Sequence, residues 1–178
     1  MRKVFQTGAI LGTLLLVSAG AAHAANPATI SVTVTIQSLS VSATGPIAFG
    51  TVVAGSETVS SSASTVTNDG NVTETFSLSL TNPSSWTAVQ AAPATAEDYA
   101  LLAKFNSAAP TAVSFTYADH ALSTVSVASS ASKFAANQTG LSVTAAATRS
   151  VWFRFNAPTS TAVTTQQNIT VTVTASAG

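Results

Sequence analysis

The sequence predicts an all-β protein, a sandwich of two antiparallel sheets, and three observations carry this prediction. Apolar and hydroxyl-bearing residues alternate near both ends of the chain, as on strands with one buried face. The β-branched residues Val, Ile and Thr, which favour strands, fill these segments. Turn-forming combinations of Gly, Pro, Asn and Asp recur roughly every 8–12 residues, a spacing typical of two-sheet folds built from short strands.

The alternation is clearest in the first and last predicted strands. In residues 30–36 the apolar positions are Ile30, Val32, Val34 and Ile36, and in residues 169–175 they are Ile169, Val171, Val173 and Ala175. Further strands are predicted over residues 47–53, 58–67, 72–81, 86–91, 99–105, 112–117, 122–128 and 149–156.

Residues 95–105 also fit a helix. Thr95 and Asp98 could form a capping pair, and Tyr99, Leu102 and Phe105 have helical spacing. The alternation of residues 99–105 favours the strand. The predicted core comprises Val32, Val34, Ile36, Val41, Ile47, Phe49, Phe76, Leu78, Leu80, Trp86, Leu101, Phe115, Val151, Phe153, Phe155, Val171 and Val173.

The composition excludes several classes of protein. The chain has 178 residues, with six Lys and Arg against six Asp and Glu, and no Cys. Charged residues are 7% of the total, against about 25% in ordinary soluble domains. We therefore expect no nucleic-acid partner. A disulfide framework and a cysteine metal site are excluded.

The first 24 residues have the features of a secretory signal peptide. Arg2 and Lys3 precede an apolar run over residues 9–17, and Ala22-His23-Ala24 matches a small-x-small cleavage pattern. The run is shorter than the roughly 20 residues that span a membrane, although an N-terminal anchor or core helix is the alternative. We expect residues 25–178 to form one exported domain without a membrane span, extracellular, at the cell surface or periplasmic.

Residues 46–86 contain motifs found in known exported domains. Residues 49–55 read Phe-Gly-Thr-Val-Val-Ala-Gly, and residues 68–71 read Asn-Asp-Gly-Asn. This stretch resembles bacterial exported immunoglobulin-like domains, in which a Phe-Gly-x-Val-x-x-Gly strand and turn precede an Asn-x-Gly-Asn hairpin. The N-terminal part is also similar to spore-coat-U-like and chaperone–usher pilin subunits. The resemblance covers about a third of the chain and implies an immunoglobulin-like antiparallel sandwich.

No enzyme activity, catalytic residue, cofactor or metal site is predicted. His120 beside Asp119 is the one His–carboxylate pair close in sequence beyond the signal segment. Neighbours on a strand point to opposite faces, so adjacency does not make a catalytic dyad. Glu97-Asp98 could begin a calcium site with Asp119 or Asp69, but Ca²⁺ wants six to eight oxygens. A solvated acidic pair is the simpler interpretation.

Trp152 and Arg154 form the candidate ligand contact. They alternate with Val151, Phe153 and Phe155, so they share the opposite face of one strand. An exposed Trp could stack on a sugar ring. In the alternative interpretation Arg154 covers Trp152, or both residues lie under a loop.

Both ends of the predicted domain are uncharged, since residues 25–56 and 155–178 contain no Asp, Glu, Lys or Arg. Natural edge strands are usually protected by charges or Pro. Either these strands pair within the molecule, or one is donated to another copy, building a homopolymer. We therefore expect a structural subunit of a surface filament, coat or matrix. The alternatives are a carbohydrate- or surface-binding module of unknown ligand and a threonine array that orders water or ice.

Overall fold

The computed structural model describes residues 28–178, and Thr35–Gly178 form one compact unit. The predicted signal peptide lies outside the described residues. Among these residues no helix is long and apolar enough to cross a membrane. The elements in chain order are β1 (Val41–Ala43), β2 (Glu57–Val59), β3 (Ser64–Asn68), β4 (Glu74–Thr81), β5 (Thr87–Ala88), β6 (Asp98–Phe105), a 3-10 turn (Ala112–Ser114), the helical turn α1 (Tyr117–His120), β7 (Val127–Ala128), β8 (Thr148–Asn156) and β9 (Thr170–Ala177).

The strands form two sheets. The larger has the order β1-β3-β8-β6-β5, and β2 pairs with β8 beyond the end of β3. The smaller has the order β7-β4-β9. Strands β4 and β9 pair along their whole length, from Glu74 opposite Ala177 to Thr81 opposite Thr170. All pairings are antiparallel except β5 with β6, which departs from the all-antiparallel expectation.

The core consists of side chains from alternate positions of the long central strands. Strand β4 contributes apolar residues from the smaller sheet, and β6 and β8 contribute them from the larger sheet, because side chains on a strand point to opposite faces in turn. These residues are Phe76, Leu78, Leu80, Leu101, Ala103, Phe105, Val151, Phe153 and Phe155. The prediction of an all-β fold with two sheets is confirmed, and the immunoglobulin-like arrangement stays a prediction.

A second, smaller cluster lies on the other face of β6. Ala100 and Leu102 pack there with Phe115 and Ala121, from the segment that contains the 3-10 turn and α1. Strand β6 is thus buried on both faces, which explains its run of apolar residues. The strand interpretation of residues 99–105 is confirmed. The hydroxyl of Thr95 does donate to the Asp98 carboxylate, but in a turn that enters a strand.

Several predicted strands are shorter than expected or absent from the described chain. Residues 47–53 form no strand, and residues 112–117 contain the 3-10 turn instead. Residues 58–67 are divided between β2 and β3, while residues 86–91 and 122–128 contain only two-residue strands. Still, Ile47 and Phe49 pack, partly buried, against the core. A local pattern reports that side chains are buried, but a strand also needs a partner strand for its backbone.

The prediction for residues 30–36 is wrong for this chain on its own. Residues 28–40 belong to no strand or helix. Ile30, Val32, Val34 and Ile36 are between 79% and 88% exposed, so the last three are not core residues. Alternation shows that one face of a segment suits burial; it does not specify that the same chain buries it.

Candidate assembly site

An apolar groove of about 1010 Å³ opens beside β9. One wall is formed by Ile169, Val171 and Val173, and the opposite wall by residues 43–52. The floor is the open margin of the core, formed by Val66, Leu78, Leu101, Val151, Phe153 and Phe155. None of the residues that line the groove is charged. The groove therefore suits an uncharged, apolar occupant.

Strand β9 has one unpaired edge along this groove. It pairs with β4 on one side, and no strand in the described part of the chain pairs with the other. Its apolar residues Val171 and Val173 are only half-buried, whereas Leu78 and Leu80 opposite them on β4 are fully buried. Both backbone hydrogen-bonding groups and incompletely covered side chains are thus available at the same place. This arrangement could accept one more strand.

The floor at one end of the groove is aromatic. The ring of Phe155 lies 5.5 Å from that of Phe49 and 5.9 Å from that of Trp86, between ring centroids. Trp86, which was predicted as a core residue, is only partly buried and packs against the core. Its indole N–H donates to the Thr161 hydroxyl at 3.3 Å. Tyr99 completes this group at 6.2 Å from Trp86.

A loop between β8 and β9 borders the groove near these rings. The Glu97 carboxylate accepts hydrogen bonds from the Thr161 hydroxyl at 2.6 Å and from the Ala162 N–H at 2.7 Å. These bonds hold the pKa of Glu97 below its usual value. Beyond them, residues 163–168 form hydrogen bonds only within residues 161–168 in the described structure. The loop is fixed at its start and loosely held where it lines the groove.

The two candidate assembly strands have different environments. Val171 and Val173 lie on β9, which pairs along its whole length with β4, and Ile169 directly precedes this strand. Ile30, Val32, Val34 and Ile36 belong to a segment without a partner strand among residues 28–178. We call residues 28–36 the arm. Of the two segments, β9 has a partner strand in the described part of the chain and the arm has none there.

Trp152 and Arg154 lie under residues 106–121. Arg154 is buried, and its Nη1 donates to the carbonyl oxygen of Ala112 at 2.9 Å and lies 3.5 Å from the Glu57 carboxylate. The indole N–H of Trp152, which is half-buried, donates to the Asn106 carbonyl oxygen at 3.0 Å. This matches the interpretation in which a loop covers both residues. The ligand contact stays a prediction with no exposed guanidinium to support it.

His120 is a buried part of α1. Its Nδ1 accepts the Thr116 N–H at 2.9 Å, and its Nε2 lies 3.3 Å from the Ala135 carbonyl oxygen. This pattern fits a neutral imidazole with the proton on Nε2. Burial lowers the pKa of His120. The Asp119 carboxylate accepts from the Thr116 hydroxyl at 3.0 Å, so the pair is used in local structure. Within residues 28–178 no three His or carboxylate groups cluster as a metal site would require.

Sequence reasoning missed the wall formed by residues 43–52 and the groove itself. One signal did point there: the two uncharged segments, residues 25–56 and 155–178, contain both walls of the groove as well as the arm. No family model, curated protein or solved structure matches this chain.

Proposed function

We propose that this protein is a non-enzymatic, exported structural subunit that assembles when the arm of one copy enters the groove of the next. The product would be a filament, coat or matrix at the cell surface. One observation carries the proposal: an uncharged apolar groove beside an unpaired strand edge occurs in the same chain as an uncharged, alternating arm that has no partner strand among residues 28–178. The chemistry of donor and acceptor is complementary.

The proposed contact needs both the burial of apolar side chains and backbone hydrogen bonds to offset the cost of ordering the arm. Burying the four large apolar side chains of the arm contributes about 1.5–3 kcal/mol each. Fixing the backbone of the arm costs about 1–2 kcal/mol per residue, which is of the same order. Backbone hydrogen bonds along the free edge of β9 supply the remainder. A strand that pairs and buries one face at once satisfies both requirements.

The point where the arm joins the domain favours donation to another copy. Its last residue, Ile36, is attached beside the turn that precedes β4, at the end of the sheet where Glu74 pairs with Ala177. From there the chain runs through β1 into the groove wall at residues 43–52. The groove residues of β9, Val173 to Ile169, lie farther along the sheet. Head-to-tail contacts between different surfaces repeat without closing and so build a filament.

The resemblance to exported immunoglobulin-like domains and pilin subunits supports the same proposal. The Phe-Gly-x-Val-x-x-Gly segment that carries the resemblance, residues 49–55, overlaps the groove wall at residues 49–52. An immunoglobulin-like sandwich that lacks one strand at this place would have a groove of this kind. A signal peptide at residues 1–24 would deliver the subunit to the exterior or the periplasm.

The test places a charge on each face of the arm in turn. We expect the protein without its signal segment to form polymers visible by negative-stain electron microscopy. Deleting residues 25–36 should leave monomers by size-exclusion chromatography. Val32→Asp, on the apolar face, should have the same effect, whereas Thr33→Asp, on the polar face, serves as the matched control and should still polymerise. Circular dichroism checks that each variant remains folded.

Two results would overturn the proposal. Polymers that persist after the deletion would rule out the arm as donor, and an intact protein that stays monomeric at high concentration would rule out assembly.

A mixing experiment adds a further test. Arm-deleted protein keeps a groove but has no arm, so adding it to the intact protein should shorten the polymers.

A further inference from the structure

Side chains and backbone N–H groups of residues 69–74 hold the backbone where the arm joins the domain. Asn71 makes three of these contacts: its Oδ1 accepts the Ser38 N–H at 2.8 Å, its Nδ2 donates to the Ile36 carbonyl oxygen at 2.7 Å, and its own N–H donates to the Ser38 carbonyl oxygen at 3.1 Å. An amide side chain that donates and accepts in this way imitates the backbone of a neighbouring strand.

Ser40 is held in the same manner. Its N–H donates to Oε1 of Glu74 at 2.8 Å, and its carbonyl oxygen accepts the Asp69 N–H at 2.8 Å. The five hydrogen bonds therefore engage alternate residues of the chain, Ile36, Ser38 and Ser40. Alternate residues direct their backbone groups to the same edge of a strand. This segment is thus held in a strand-like register, with the turn in place of a partner strand.

The turn is built independently of the arm. The Asn68 side chain braces it: Oδ1 accepts the Gly70 N–H at 2.9 Å, and Nδ2 donates to the carbonyl oxygens of Val72 and Val143, both at 2.8 Å. Glu74 is fully buried. Gly70 leaves room for the contacts, since a Cβ there would lie 2.3 Å from Oε1 of Glu74 and 2.5 Å from the Ser38 carbonyl oxygen.

We propose that Asn71 and Glu74 are positioning residues that fix the base of the arm before assembly. The consequence for assembly rests on the proposed function, while the restraint itself exists in the isolated subunit. When the backbone from Ile36 onward is already ordered, the chain has fewer conformations to lose as the arm is buried in a partner. Preorganisation of this kind strengthens association by lowering its entropic cost, with no new contact across the interface.

The test uses Asn71→Ala, which removes both side-chain hydrogen bonds, with Asn137→Ala as the matched control. Asn137 also makes two side-chain hydrogen bonds to a neighbouring loop, to the N–H of Ser107 at 2.8 Å and to its hydroxyl at 2.7 Å. Hydrogen exchange on the arm-containing monomer should show the Ser38 amide exchanging about five- to tenfold faster in Asn71→Ala. The critical concentration for polymer formation should rise severalfold. Asn137→Ala should leave both quantities unchanged.

The outcomes separate this inference from the proposed function. Unchanged exchange at Ser38 would show that Asn71 does not restrain the base of the arm. Faster exchange with an unchanged critical concentration would show that the restraint has no role in assembly, while assembly through the arm would still stand. Polymers that survive deletion of residues 25–36 would instead refute the proposed function, whatever the exchange of Ser38.

Discussion

Replacing Asn68 with Ala is the most direct test of how the turn before β4 is held. Asn68 is fully buried, and its side chain makes three hydrogen bonds of 2.8–2.9 Å, to Val72, Val143 and Gly70. Each such bond contributes about 0.5–1.5 kcal/mol net, and a buried group left without a partner costs about 1–3 kcal/mol. We therefore expect Asn68→Ala to lower the free energy of unfolding by about 2–4 kcal/mol.

The assay is equilibrium unfolding in urea, followed by the fluorescence of Trp86 and Trp152. The midpoint should fall while the slope of free energy against urea stays constant, because the surface exposed on unfolding hardly changes. Asn106→Ala is the control: its amide donates to the Ala108 carbonyl oxygen at 2.7 Å and accepts the Asn137 N–H at 3.4 Å, but both bonds are exposed to solvent, and the substitution should lower the free energy of unfolding by about 0.5 kcal/mol or less. A loss at Asn68 no larger than this would refute the assignment of the turn's stability to that side chain.

Three further outcomes follow from the described contacts. Because burial lowers the pKa of His120, the unfolded chain takes up the proton at a higher pH than the folded one. The stability that depends on neutral His120 is therefore present above about pH 6.5 and is lost as the pH falls, and His120→Gln should flatten this dependence of the urea midpoint between pH 5 and 7.5. Gly70→Ala should lower the free energy of unfolding by about 1–3 kcal/mol, because the added Cβ would clash with its neighbours. Gly45→Ala is the control, since no atom lies within 4 Å of its added Cβ, and it should lower the midpoint of thermal unfolding by less than Gly70→Ala does. Arg154→Met removes the hydrogen bond to the Ala112 carbonyl oxygen and should lower the free energy of unfolding by about 1.5–3 kcal/mol. It should also shift the fluorescence emission of Trp152 to the red. An unshifted spectrum would contradict the conclusion that residues 106–121 cover Trp152.

The two terminal segments show what alternation can and cannot predict. Residues 169–175 and 30–36 have the same pattern of Ile or Val with Ser or Thr. The first lies in β9 except for its first residue, Ile169, and β9 pairs along its whole length with β4, while the second has no strand partner in the described chain. Period-two patterning is a property of one segment, whereas pairing depends on a second segment and on the register between them. The sequence therefore indicated which face would be apolar in each case, but not what would cover it.

The turn at residues 68–74 shows a second limit of sequence reasoning. Asn68-Asp69-Gly70-Asn71 was recognisable as a turn from its residue types, but the expected hairpin is wrong, because the turn connects β3 of the larger sheet to β4 of the smaller sheet and these two strands do not pair. The partners of Asn71 lie 33 and 35 residues away in the chain, at Ser38 and Ile36, and no local pattern encodes contacts over such a separation. Arg154 shows the same for burial, because the residues that cover it come from a loop about 40 residues earlier. Long central strands were predictable; side-chain contacts between distant segments were not.

The scarcity of charge gives the proposed assembly its particular form. Most proteins protect exposed strand edges with charged side chains, and here neither the β9 edge nor the arm has any. Specificity must then come from shape and from the number of partners. A groove that admits one strand and an arm that supplies one strand allow each copy a single neighbour at either side, so association extends in one dimension. The restrained base of the arm also favours association in one dimension, since it limits where the next copy can attach.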